Sequence, residues 1–487
     1  MIGRWLATSS SGERAREPRR MAWSKAEILA ATGGKVTQDS GKKRFGEIVT
    51  DSTKIKSGSV FIALKGERHD GHRFVADAVR RGAACVIIHR PLRREILGAA
   101  TAVRVSDTLR SLGDLAHYRR EQIAPKVLAI TGSNGKTTTK EMVAAILEEA
   151  RLDGKPARGR VLKTEGNFNN LVGLPLTLLR LRKKDRIAVV ELGTNRPGEI
   201  QRLSEIADPD VGIVTSVAAA HLEGLNSLAG VAREKGALYQ NIRPGGSIAA
   251  NLDDPWVRKL AARFKGKKIT YGERGQVRAQ SQRMRGTRGM QFVLQAHRQR
   301  CNVQLNYLGQ HNVVNALGAA ALALGAGVKL GAIRRGLQMA RPFSMRMQIE
   351  EWQGSGIIND AYNANPASMK AALQTLAEID CQGDRMAVLG DMFELGKQST
   401  KEHRQLGKAA AGANIDALYL LGRQAAEACK GAVLAGMRTE KIVIGKDHAD
   451  LARQLRNRLK RGDWLLFKGS RGMKMERVLQ QLRGGKA

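Results

Sequence analysis

An α/β chain of three domains is what this sequence predicts, on three observations. Short apolar runs alternate with helix-like stretches along its length. A glycine-rich loop, "ITGSNGKTTT" (130–139), separates an apolar strand from an amphipathic helix. The alternation then restarts after "MARPFSMRMQ" (339–348). At 487 residues the chain also exceeds what one ordinary core organises, and about three domains is the natural partition.

Taken in order, residues 1–20 are basic and serine-containing, with no apolar run resembling a signal peptide. They are expected to be a disordered extension or to precede the true start, because Met21 opens "MAWSKAEILAATGG", which reads as a helix. Between 21 and 124, "SVFIAL" (59–64), "HRFVADAVRRGA" (72–83) and "ACVIIH" (84–89) alternate as a small N-terminal α/β domain. A central domain is expected over 125–340. Its strand "KVLAI", glycine loop and helix are followed by the buried-strand candidates "IAVVEL" (187–192), "VGIVTSV" (211–217) and "GGSIAAN" (245–251). Strands alternating with helices imply a mostly parallel sheet. The alanine-rich helix 312–327 ends on Gly325 and Gly327, a plausible cap region. The last domain, 341–487, carries five short strands, "GIINDA", "RMAVLGD", "ALYLLG", "KIVIG" and "DWLLFKG", and reads as a Rossmann-like α/β sheet.

Composition excludes several classes. No stretch approaches the roughly 20 apolar residues that span a bilayer. Cys85, Cys301, Cys381 and Cys429 are scattered, which argues against a disulfide framework or zinc site and for a reduced, cytoplasmic protein. The net charge of +37, from 82 basic and 45 acidic residues, attracts polyanions, with its densest patch at 278–300. Aromatic residues are only 4% of the chain, too few to build a stacking platform for single strands. The charge is expected mainly to be a solvated surface, with no obligatory nucleic acid.

The loop at 130–139 is where chemistry enters. A phosphate loop needs converging backbone N–H groups at a helix N-terminus, glycines for close approach and a lysine for the β- and γ-phosphates. Thr131, Gly132, Ser133, Asn134, Gly135, Lys136, Thr137 and Thr138 supply these, with Thr137 able to ligate Mg²⁺. The usual pattern, G-x-x-x-x-G-K-[ST], would put a glycine at Ile130, and none is there.

The short form T-G-S-N-G-K-T resembles the loop of the Mur ligase family, the ATP-dependent amide-forming enzymes of peptidoglycan assembly. The similarity extends over nearly all of 22–484 and favours the branch that adds D-alanyl-D-alanine to UDP-MurNAc-tripeptide. Its most discriminating words are "DAYNANPASM" (360–369), "GDMFELG" (390–396) and "FKGSRGMKMERVL" (467–479).

The resemblance implies roles residue by residue. Ser52, Thr53, Lys65 and Gly66 would face the UDP-sugar in a uridine-binding first domain, with Asn167, Asn169 and Asn170 further along that substrate. Glu191 would ligate Mg²⁺ with Thr137, and His221 a second metal. Lys235 would be the lysine that related enzymes carbamylate, although Ala237 stands where the family often has glutamate. His311 and Asn312, supported by Asn315, would meet adenine; an alternative for Asn312 is to cap the alanine-rich helix. Arg346 would reach the ATP phosphates, with Met345 where some members have glycine. Asp360 would face the ribose and phosphates, while Asn363, Asn365, Asp391, Lys468, Ser470 and Arg471, with Met392 and Glu394, would surround the dipeptide. Lys136, Lys235 and Arg346 form the expected catalytic set; His403 and Asp391 are candidates for the base.

The implied reaction uses ATP and Mg²⁺ to convert the tripeptide carboxylate into an acyl phosphate, which the dipeptide amine then attacks. A monomer working on small-molecule substrates is expected. Two rivals differ in class. A folylpolyglutamate-type ligase shares the loop but is opposed by "YNANP" and the uridine-binding segment. A nucleic-acid-stimulated NTPase suits the charge but should carry an Asp-Glu-Ala-Asp-type run, and none occurs. The Asp-Asn-Pro-Arg motif of the diaminopimelate-adding relatives is also missing.

Overall fold

The computed structural model describes residues 22–66, 69–152 and 154–484; the segment 1–20 and Met21 lie outside the described residues, as do positions 67 and 68 of the "ALKGERHDGH" loop. The chain divides into two compact units after residue 115, inside the helix Thr108–Ile123.

In the first unit the helix Lys25–Thr32 begins where the sequence places it. The Ser24 hydroxyl accepts the Glu27 N–H at 3.1 Å and the Glu27 carboxylate accepts the Ser24 N–H at 2.7 Å. This reciprocal cap satisfies two helix-end donors. Five strands follow in spatial order Lys35–Gln38, Thr101–Arg104, Cys85–Ile88, Val60–Ile62, Ile48–Val49. All pairs are parallel except the first. Phe61, Val75, Ala78 and Val86 form the core beneath the helix Val75–Arg80.

The second unit holds a nine-stranded and a six-stranded sheet. The larger runs in the order Val161–Lys163, Ile187–Glu191, Lys126–Thr131, Val211–Val214, Ser247–Asn251, Lys267–Tyr271, Val277–Met284, Met290–Ala296, Gln299–Leu305. Only its last two pairings are antiparallel. Its central parallel strands, such as Lys126–Thr131, Ile187–Glu191 and Val211–Val214, read as continuous apolar runs because helices cover both faces. Leu128 and Ile130 point into one core, beside the helices Lys136–Glu148 and Gln310–Gly325. Val127 and Ala129 point into the other, beside Glu199–Ala207 and Leu228–Gln240. The strand Lys126–Thr131 pairs with Ile187–Glu191 on one side and Val211–Val214 on the other, so the chain reverses its winding direction there. Such switch points open a crevice at the carboxyl ends of the strands.

The six-stranded sheet contains the five expected strands, Ser355–Asp360, Trp464–Lys468, Arg385–Gly390, Ala417–Leu421 and Ile442–Ile444, in that spatial order. It adds an antiparallel edge strand, Gln348–Trp352, whose charged residues hid it in the sequence. The basic stretch 278–300, read only as charge, folds into the antiparallel strands of the larger sheet. Its Met290, Phe292, Leu294 and Ala296 face the core on alternate positions. Among the described residues no helix is long and apolar enough to cross a membrane.

Candidate active site

A cavity of about 470 Å³ lies at the carboxyl end of the parallel strands. It is lined by residues 133–138, by 215–218, by the start of the helix Gln310–Gly325 and by 360–371 with Lys468. Two glycines of the loop are required by space as well as by backbone. Gly132 has φ +147°, and a Cβ there would lie 1.8 Å from Thr215 Oγ1; Gly135 has φ +80°, and its Cβ would lie 2.2 Å from Asn315 Oδ1. The loop is stitched to the neighbouring strand end. Ser133 N–H donates to the Ser216 carbonyl at 2.9 Å, Asn134 N–H to Ser216 Oγ at 3.1 Å, and the Thr215 hydroxyl to the Asn134 carbonyl at 2.5 Å. That is why "TSV" of the expected strand 211–217 leaves the sheet: Val211–Val214 ends where the loop needs partners.

Lys136 opens the helix Lys136–Glu148, and its Nζ donates to the Gly132 carbonyl at 2.7 Å. Burial lowers its pKa, with Glu191 opposing and Arg346 adding to the shift. The Thr137 hydroxyl donates to Glu191 Oε2 and Asn169 Nδ2 to Glu191 Oε1, each at 2.9 Å. Asn170 Oδ1 instead accepts the N–H groups of Val172 and Gly173 just ahead of the helix Gly173–Leu178, and the Asn167 carbonyl accepts the Asn169 N–H. Lys235, 1% exposed in the helix Leu228–Gln240, has its amine pKa pushed well down, first by burial and then by Lys136.

Arg346 also lines the cavity. Its guanidinium stacks 4.1 Å from the Tyr362 ring centre, and its buried Nε has no hydrogen-bond partner among the described residues. Met345 and Met347 on either side have φ +56° and +50°, a left-handed backbone that favours glycine. Met347 N–H donates to Asp360 Oδ1 at 3.1 Å, and Lys468 Nζ donates to Asp360 Oδ2 at 2.5 Å and to the Asn363 carbonyl at 2.9 Å. Asn365 caps the helix Pro366–Ala377 and passes its Nδ2 to Asn134 Oδ1 at 2.7 Å. The run 360–365 and the phosphate loop therefore meet in one cavity.

His311, which also lines the cavity, is driven down to about 4, first by burial, with Asp360 opposing and Lys468 adding to the shift. Asn312 is not the helix cap: Gly309 holds that position, and Asn312 Nδ2 donates back to the Leu308 carbonyl at 2.8 Å. Asn315 Nδ2 donates to Asn312 Oδ1 at 2.9 Å, a supporting bond.

Family models match three consecutive stretches: the Mur ligase family catalytic domain over 44–120, the Mur ligase middle domain over 130–323 and the Mur ligase glutamate ligase domain over 345–471. The Escherichia coli UDP-N-acetylmuramoyl-tripeptide–D-alanyl-D-alanine ligase is 37% identical over 448 residues, 89% of this chain and 93% of the relative. The chain belongs to the Mur ligase family. Among solved structures, MurF from Acinetobacter baumannii is 34% identical with a TM-score of 0.87, covering 96% of this chain and 100% of that one. MurF ligase from Thermotoga maritima in complex with ADP is 28% identical with a TM-score of 0.79, covering 90% and 97%. The three-domain α/β fold is the one these Mur ligases share.

Other expected site residues of this Mur ligase are placed differently from one another. His221 adopts φ +56°, and its Nδ1 lies 2.5 Å from Glu394 Oε2, outside hydrogen-bond geometry. This contact holds the Glu394 carboxyl below its usual range. Among the described residues no three His, Cys, Asp or Glu side chains gather closely enough to hold a metal. Lys468, expected at the dipeptide, sits with Asp360 on the cavity already described. Asp391 accepts the N–H groups of Arg423 and Gln424, Ser470 Oγ accepts the Phe393 N–H, and Arg471 pairs with Glu476 at 2.8 Å. His403 is buried with both nitrogens used: Nε2 accepts the Met392 N–H at 2.9 Å and Nδ1 faces the Ser399 carbonyl at 2.7 Å. In the first unit, Ser52 and Thr53 lie in a turn that Asp51 caps through the Thr53 N–H and hydroxyl, and the Lys65 backbone stands opposite Asp70 in an isolated antiparallel bridge. Sequence reasoning missed Glu234. Its carboxylate accepts the Gly198 and Ile200 N–H groups, each at 2.7 Å, at the start of the helix Glu199–Ala207. A glutamate on a buried helix face beside Lys235 was the available signal.

Proposed function

We propose that this Mur ligase joins D-alanyl-D-alanine to UDP-MurNAc-tripeptide, using ATP and yielding UDP-MurNAc-pentapeptide, ADP and phosphate. The observation that carries the reading is the union of the phosphate loop with the 360–365 run in one cavity, sealed by Asn365 on Asn134. The names of the relatives supply the substrate class.

A carboxylate is a poor electrophile, so its oxygen first attacks the γ-phosphorus, releasing ADP and leaving an acyl phosphate. The dipeptide amine then attacks that carbonyl and phosphate departs. Both steps crowd anions, so charge neutralisation and positioning dominate. The loop N–H groups and Lys136 cradle the phosphates from the helix N-terminus. Arg346, stacked on Tyr362 with an unpartnered Nε, offers a charge-assisted donor that a phosphate oxygen satisfies. Neutral His311 and Asn312 suit the adenine, and Asp360, held by Lys468, suits the ribose and phosphates.

The Thr137 hydroxyl and Glu191 carboxylate, already in contact, are a hard oxygen pair of the kind Mg²⁺ takes together with phosphates and waters. Bound there, Mg²⁺ would neutralise developing phosphate charge; His221 is the candidate for a second ion. Lys235, whose amine burial drives toward neutrality, is suited to carbamylation. The UDP-sugar falls to Ser52, Thr53 and Lys65 and then to Asn167, Asn169 and Asn170. The dipeptide falls to Asn363, Asn365, Asp391, Lys468, Ser470 and Arg471. We further place domain boundaries at 21–124, 125–340 and 341–487, and the enzyme as a cytoplasmic monomer. The deciding assay is phosphate release with ATP and UDP-MurNAc-tripeptide, with D-Ala-D-Ala added or omitted. Release should require the dipeptide; release independent of it would overturn the assignment.

A further inference from the structure

The function above leaves one feature of the sequence unused. No aspartate or glutamate occurs between Glu273 and Glu350, an interval holding eleven arginines and one lysine. Seven of those arginines, from Arg274 to Arg300, lie on or beside the antiparallel strands Val277–Met284, Met290–Ala296 and Gln299–Leu305.

Strand register places Arg278, Arg283 and Arg300 on one face, and Arg285 joins them through Gln291. Met290, Phe292, Leu294 and Ala296 fill the core, so Gln291, Val293 and Gln295 point outward. Arg278 and Arg300 both stand opposite Gln295, while Arg283 and Gln304 stand opposite Gln291. Arg278 and Arg283 are an odd number of residues apart and would face opposite sides of a regular strand. The irregularity between Gln280 and Arg283, with Ser281 at φ +51°, turns Arg283 back to the outer face. Bulges that re-aim a side chain are features of construction rather than flaws. Gln295 accepts from Arg278 Nε at 3.2 Å and Gln291 from Arg285 Nε at 2.6 Å, so neutral amides hold these guanidiniums. None of the seven arginines has an acidic partner among the described residues.

We propose that this outer face docks on an anionic phospholipid surface. Each arginine brought to an anionic lipid surface contributes about 1 kcal/mol of attraction, so several fixed together add up to stable docking. A sheet face fixes such a cluster in one plane, which matches a membrane better than a groove. A nucleic acid fits less well. The face offers no aromatic side chain for base stacking, because Phe292 and Tyr307 are buried in the core. Moreover, three strands continuous with a nine-stranded sheet cannot enter a major groove as a free two-stranded ribbon does.

The test is co-sedimentation of the full chain with vesicles of phosphatidylcholine alone or with about one-third phosphatidylglycerol, at low and physiological salt. The face variant carries Arg278→Gln, Arg283→Gln, Arg285→Gln and Arg300→Gln. A control variant removes equal charge elsewhere through Arg438→Gln, Lys446→Gln, Arg461→Gln and Arg477→Gln. The wild type and control should bind the anionic vesicles and ignore the neutral ones. The face variant should bind on the order of a hundredfold or more weakly, at roughly fivefold per arginine, while dipeptide-dependent phosphate release in solution stays unchanged. Absence of binding at low salt overturns the proposal. So does equal weakening of the two variants, which would make the effect one of total charge. Displacement from vesicles by duplex DNA or RNA at lower concentration than by free phosphatidylglycerol vesicles would reassign the face to nucleic acid.

Discussion

Acidification should weaken this enzyme through His311, by an amount the cavity sets. His311 Nε2 faces the Asn312 amide nitrogen at 3.1 Å, so it is an acceptor, and a proton there would set donor against donor. Burial pushes the imidazole down to about 4 from an ordinary 6.5. A group depressed in the folded state is protonated more readily by the unfolded chain, so stability is complete above pH 6.5 and is lost as pH falls toward 4. At 1.36 kcal/mol per pH unit of difference, the loss is about 2 kcal/mol at pH 5 and about 3 kcal/mol at pH 4. His311→Gln retains a neutral hydrogen-bonding group and removes the titration. Urea unfolding of both proteins at pH 8 and pH 5, followed by pulse proteolysis, isolates the effect as a difference of differences. The variant should gain about 2 kcal/mol on the wild type over that interval. Parallel losses in the two proteins would refute the claim that burial keeps His311 neutral.

Lys136→Ala should abolish phosphate release while the circular dichroism melt stays intact, because the lysine touches its own loop and not the core. Asn365→Ala removes a helix cap and the bridge to Asn134; a stability loss of about 1 kcal/mol in urea and a raised KM for ATP are expected. His403→Phe strands the buried Met392 N–H and should cost about 1–3 kcal/mol, yet leave the shape of the pH–rate profile intact. A lost acidic limb in that profile would instead make His403 the base.

The fold was legible wherever burial on both faces wrote an unbroken apolar run. Ile187–Glu191 and Arg385–Gly390 are such strands. Gln348–Trp352 and the strands from Val277 to Leu305 were not, because one exposed face mixes charge into the pattern and only the other keeps its period of two. The site divides in the same way. The phosphate loop is a local object whose strand, turn and helix are contiguous, so its spacing announces it. Lys468 with Asp360, 108 residues apart, and Asn365 with Asn134, 231 apart, are products of topology. The resemblance named these residues, but only the fold shows which of them share a wall, as Lys468 does with Asp360.

The glycine that the loop appeared to lack has a physical account. Ile130 pairs with Glu191 on one side and Ile213 on the other, and its side chain is fully buried in the core. Position 130 is therefore still strand, and a glycine there would surrender packing without freeing any turn. The backbone first needs a left-handed or extended positive φ at Gly132, where Thr215 presses in and forbids a Cβ. Thr215 can press in because Val211–Val214 ends early, and it ends early because its next residues bond the loop. The shorter spacing and the adjacent strand end are thus one construction: the neighbouring segment supplies hydrogen bonds that hold the abbreviated loop in place. Lys136 and Thr137 follow at once on the helix, directed at the same point as Glu191 and within the field of Arg346.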